Sequence, residues 1–81
     1  MKVDEKIIRD LMIKTFPDST VPDNISLLNI GDLEDWDSLG NFNLLLAIEE
    51  WYQVRFNIDQ MESIKSVRDI VFVLSELIES R

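Results

Sequence analysis

Apolar positions along the chain fall into three stretches of helical period. The first passes through Ile7, Ile8, Leu11, Met12 and Phe16, one face of a helix over 4–16. Asp4 stands at its N-cap, Glu5 and Lys14 suit the partial charges of its two ends, and Pro17 stops it. The second, over 38–52, carries Leu39, Phe42, Leu44, Leu45, Leu46, Ile48, Trp51 and Tyr52. That arc is wider than docking on one side requires, so it predicts a helix with neighbours on several sides. Asn41, Asn43, Glu49 and Glu50 are left as its polar face. The third stretch, over 66–79, repeats Val67, Ile70, Val71, Leu74, Leu77 and Ile78, with Ser66 and Asp69 as its start signal.

Two connections separate these stretches. Between the second and third, Val54, Phe56 and Ile58 alternate like a strand, but no partner strand is evident, so an extended connector is predicted. Asn57 and Gln60 have the spacing of a capping box and predict a short helix over 58–63. The connection over 17–37 lacks clear periodicity, and a loop of that length in a small domain is often functional. Its apolar residues Val21, Ile25, Leu27, Leu28, Ile30, Leu33 and Trp36 are expected to pin it over the helix ends, with a helical turn near Ile25 to Asn29. Gly31 offers a positive φ there. The pattern predicts an all-α fold: a small antiparallel bundle of three long helices plus one short helix, in a single domain over 1–81.

Composition narrows the chemistry. With no cysteine there is no disulfide and no thiol; with no histidine, no Ser-His triad and no imidazole base. The N-terminal Met1-Lys2-Val3-Asp4-Glu5-Lys6 has no apolar run of the signal-peptide kind, and no stretch is long enough to span a membrane, which predicts a cytoplasmic protein. The net charge is −8, and between Lys14 and Arg55 there is no base against eight acids. That field disfavours nucleic acid and favours basic protein surfaces.

The acids crowd the start of the second helix, in Glu34-Asp35-Trp36-Asp37-Ser38-Leu39. Asp37 is a suitable N-cap, and Ser38 sits in a first turn whose N–H groups favour a bound or attached phosphate. Taken alone, Asp-Ser-Leu at a helix start reads first as a plain capping pair. The acids do not fit a calcium loop: counted from Asp32, Asp37 occupies the glycine position and Asn43 that of the bidentate glutamate. No metal site is expected.

With the leucine-rich second helix, the segment Ala47-Ile48-Glu49-Glu50, the short third helix and the Ile64-Lys65-Ser66-Val67 entry to the last, this motif resembles the acyl carrier protein family over about 33–77. The first helix and loop agree in layout rather than detail. The resemblance implies that Ser38 carries 4′-phosphopantetheine through a phosphodiester, flanked by Asp37 and Leu39, and that its thiol holds acyl groups as thioesters. The chain would then be a non-catalytic, monomeric carrier. Its partners would be a phosphopantetheinyl transferase and acyl-loading and acyl-transferring enzymes with basic surfaces. Asp35, Asp37, Leu46, Glu49 and Glu50 fall at partner-recognition positions, and Phe42, Leu46, Phe56, Met61 and Ile70 at acyl-pocket positions. Gly40, Asn43, Trp51 and Trp36 depart from the fatty-acid-synthesis pattern, which points to a specialised pathway. Bulk at Phe42, Phe56 and Met61 is expected to fill the cavity, leaving a cargo that is small, polar or outside the bundle. A D-alanyl or other aminoacyl carrier is the alternative of the same fold, and an unmodified acidic helical adaptor the alternative of another class.

Overall fold

The computed structural model describes residues 3–80. Four helices follow in order, α1 (Glu5–Thr15), α2 (Ser38–Tyr52), α3 (Ile58–Ser63) and α4 (Val67–Ser80). No strand occurs among the described residues; an isolated bridge pairs Asn29 with Ser66. The protein is all-α, with one core drawn from α1, α2, α4 and the connections between the helices.

Local signals account for the helix ends. Asp4 caps α1, its Oδ1 accepting from the Lys6 N–H at 2.9 Å, and its own N–H donates to the Tyr52 hydroxyl at 3.2 Å, joining the start of α1 to the end of α2. The helix closes at Phe16, whose N–H reaches the Met12 carbonyl at 2.8 Å, because the residue before a proline is held out of helical geometry. The start of α3 is a complete capping box: Gln60 N–H donates to Asn57 Oδ1 at 2.7 Å and Asn57 N–H to Gln60 Oε1 at 2.9 Å. At α4 the Ser66 hydroxyl accepts from the Asp69 N–H at 3.0 Å, while the Asp69 carboxylate takes the N–H of Lys65.

The long connection is ordered by backbone pairing that its sequence does not announce. Ile30 N–H donates to the Lys65 carbonyl at 2.7 Å and Val67 N–H to the Leu28 carbonyl at 3.0 Å, so residues 28–30 are strapped to the α3–α4 junction. Val21, Ile25, Leu33 and Trp36 are buried, and Leu28 and Ile30 half-buried. Leu27 does not follow them: it is 78% exposed. The Leu28 N–H closes a turn onto the Ile25 carbonyl, which puts Ser26 and Leu27 at the tip and turns only the flanking residues inward. Gly31 has φ +96° and donates its N–H to the Trp36 carbonyl at 2.8 Å, closing the loop segment that leads into α2. On the far side, Arg9 of α1 donates to the carbonyls of Pro22 and Val21 at 2.7 and 3.1 Å.

Helix α2 differs from its predicted surroundings. Leu44, Leu45, Ile48 and Tyr52 are buried as expected, but Leu39, Phe42, Leu46 and Trp51 are exposed. The wide apolar arc therefore divides into an inward face and an outward one. Asn41, expected on the polar face, is buried.

Candidate functional site

The site is the first turn of α2 and the loop that delivers it. Asp37 has extended φ and ψ of −103° and −165°, its Oδ1 accepts from the Gly40 N–H at 2.8 Å, and its carbonyl accepts from the Asn41 N–H at 2.8 Å. The helix thus begins at Ser38, which is exposed, as are Asp37 and Leu39.

Beneath that exposed corner lies a tightly fitted base. Trp36 is fully buried, its ring 6.4 Å from that of Phe16 at an interplanar angle of 28°. Its Nε1 donates to Asn41 Oδ1 at 3.0 Å, and Asn41 Nδ2 donates to the Ile64 carbonyl at 3.0 Å. A single side-chain amide therefore connects the acidic loop, α2 and the end of α3. Asp35 is half-buried, its N–H donating to the Ser19 hydroxyl at 3.0 Å. Gly40 lies directly against this segment. A Cβ there would collide with the Asp35 carbonyl oxygen and approach the Phe16 ring to 3.0 Å. A side chain at position 40 is excluded by packing, which gives the departure at Gly40 a structural cause.

Two depressions flank the corner. One, of about 310 Å³, runs between α2 and α3 and is lined by Ser38, Phe42 and Leu45, by Ile58 and Met61, and by Lys65 at the α3–α4 junction. The other, of about 330 Å³, lies toward α1, with Asp18, Asp35 and Asp37 in its wall. Of the five acyl-pocket positions, Phe42 and Met61 line the first cleft. Phe56 and Ile70 are buried in the core, and Leu46 lies round the helix, 42% exposed, beside Glu49 and Glu50. Of the three bulky residues, Phe56 is buried in the core, while Phe42, in the cleft wall, is 47% exposed.

The outward apolar face begins at the same corner. Leu39, Phe42 and Leu46 recur at helical spacing on the exposed side of α2, with Asn43 and Glu50 exposed among them. Of the recognition candidates, Asp37 and Glu50 are exposed and Glu49 is half-buried. The Glu49 carboxylate is engaged, Oε2 accepting from the Phe56 N–H at 2.7 Å. It anchors the connector between α2 and α3, a role the spacing of acids along the helix does not reveal. Among the described residues no group of three or more acids is placed to hold a metal ion. No helix of the described residues is long and apolar enough to cross a membrane. No family model, curated protein or solved structure matches the chain.

Proposed function

We propose that the chain is an acyl carrier protein of a specialised biosynthetic pathway, with 4′-phosphopantetheine attached to Ser38. The observation that carries this reading is the setting of Ser38: exposed, first in a helix capped by Asp37, and on the edge of a cleft with apolar walls. The residues present fit the group, because first-turn N–H groups suit a phosphodiester and the cleft offers Phe42, Leu45, Ile58 and Met61 to the remainder of the arm. The group supplies a thiol, which this cysteine-free chain lacks, and with it the thioester.

The chain's own residues hold and present the attachment point. Asp37 fixes the helix start, while Trp36 and Asn41 hold the approach to it against the core. Leu39, Phe42 and Leu46 give partners an apolar stripe beside Ser38. Exposed Glu34, Asp37 and Glu50 add a negative field suited to enzymes with basic surfaces and to fast, short-lived encounters. In this reading the four helices and the long α1–α2 connection form a bundle of the acyl-carrier type, and the transfer chemistry belongs to the partners.

Treatment with a phosphopantetheinyl transferase and coenzyme A, with intact mass measured before and after, tests the assignment. One addition is expected on the wild type and none on Ser38→Ala, which keeps its circular dichroism. A folded wild type that gains no mass rejects the carrier role and leaves the acidic stripe to an adaptor function.

A further inference from the structure

The two depressions beside Ser38 differ in charge. The wall toward α1 carries Asp18, Asp35 and Asp37, whereas among the described residues the charged lining of the cleft between α2 and α3 is Lys65 with Glu62. Lys65 is held at its main chain from both sides: its N–H donates to Asp69 Oδ2 at 2.9 Å and its carbonyl accepts from the Ile30 N–H at 2.7 Å. The preceding carbonyl, of Ile64, accepts from Asn41 at 3.0 Å, and Asn41 lies one helical turn after Ser38 on the same face of α2. Ser38, Asn41 and Lys65 thus line one cleft. Although the chain has a net charge of −8, the Lys65 ammonium forms no ion pair among the described residues, and Glu62 lines the same cleft without closing on it.

We propose that Lys65 is the counter-charge for the phosphodiester attached at Ser38, drawing the arm into the α2–α3 cleft. This rests on the carrier reading. The α1 side sets three carboxylates and no cation against an anion attached to Ser38, whereas the α2–α3 side sets the Lys65 ammonium beside one carboxylate, Glu62, so the balance of charge favours the second side. The side chain of Lys65 takes no part in the bonds that fix its backbone, so it is replaceable without loss of the fold.

The test compares apo and phosphopantetheine-loaded forms of the wild type, Lys65→Met, Lys65→Arg and the distant control Lys6→Met, with loading verified by intact mass. In the wild type and the Lys6 control, the ³¹P resonance of the phosphodiester is expected to move as salt screens the pair. Lys65→Arg retains that response and Lys65→Met loses it, with apo melting temperatures unchanged. Loading raises the wild-type melting temperature by about 2 °C at low salt, and Lys65→Met abolishes the rise. A loaded Lys65→Met protein with the wild-type ³¹P response and the wild-type rise overturns the proposal. Failure of the wild type to load at all rejects the carrier reading instead, and the mass measurement separates the two.

Discussion

The indole N–H of Trp36 donates to the side-chain carbonyl of Asn41 at 3.0 Å, inside the protein and one turn below the exposed Ser38. Because Asn41 also donates to the Ile64 carbonyl, its amide is satisfied on both sides, by an indole five residues before it and a carbonyl 23 residues after it. Replacing Asn41 by leucine keeps roughly the same bulk but leaves a buried indole N–H and a buried carbonyl without partners. Each such group costs about 1–3 kcal/mol. Asn41→Leu is therefore expected to lower the melting temperature by on the order of 10 °C or more in a domain of this size, and Trp36→Phe by less. A double-mutant cycle by thermal denaturation checks the coupling. Additive effects would show that the two side chains do not depend on each other.

Gly40 sets two principles against each other. Alanine at an exposed mid-helix glycine stabilises by about 1 kcal/mol. Here the added methyl meets the Asp35 carbonyl, which belongs to backbone and cannot rotate away. Overpacking of that kind costs about 1–3 kcal/mol, so Gly40→Ala is expected to destabilise on balance. In the proposed carrier reading, modification of Ser38 should slow as well, since relief of the clash displaces the segment that leads into the helix. Denaturant unfolding together with a loading time course decides the sign.

Glu49 and Glu50 are adjacent acids with different uses. Glu50 is exposed, so Glu50→Lys should leave stability within about 0.5 kcal/mol of the wild type while slowing association with a basic transferase, an effect that fades as salt rises. Glu49→Lys also removes the acceptor for the Phe56 N–H and should cost about 1–3 kcal/mol in folding. Reversing both together would confuse the two effects; single variants in stopped-flow binding and thermal melts separate them.

In the proposed carrier reading, the open cleft bears on cargo. Each methylene that it buries stabilises by up to about 0.8 kcal/mol, less where the walls leave it partly in water. With about 310 Å³ between α2 and α3 and Phe42 half out of it, melting temperature should rise over the first few carbons of a saturated acyl series and then level. Phe42→Ala should extend the rise. A steady climb in the wild type through medium-length chains would mean that the cleft deepens on loading.

Much of this architecture is legible in the chain because its causes are local. The stripe of Ile8, Leu11 and Met12, the Asn57–Gln60 capping box and the left-handed Gly31 each depend on residues a few positions apart. What escapes depends on contacts that helical periodicity does not encode. Asn41 counts as polar in any helical pattern, and only Trp36 and Ile64 together make it a core residue. Leu39, Phe42 and Leu46 read as core for the opposite reason: in the letters, an apolar residue left exposed looks the same as one buried by folding. The corner carrying Ser38 is legible as a motif, but the reason for Gly40 is not, since the Asp35 carbonyl leaves no mark in the letters around it.

The strap between residues 28–30 and the α3–α4 junction sets an order on biosynthesis. As the chain leaves the ribosome, Leu28 and Ile30 emerge well before Lys65 and Val67, the residues that supply their partners. Until the start of α4 has been made, the Ile30 N–H and the Leu28 carbonyl have no backbone partner, although the sequence of α2 is already complete. The nascent chain thus exposes the serine long before it presents it in a fixed geometry, and an enzyme that recognises the folded corner must wait for the last helix.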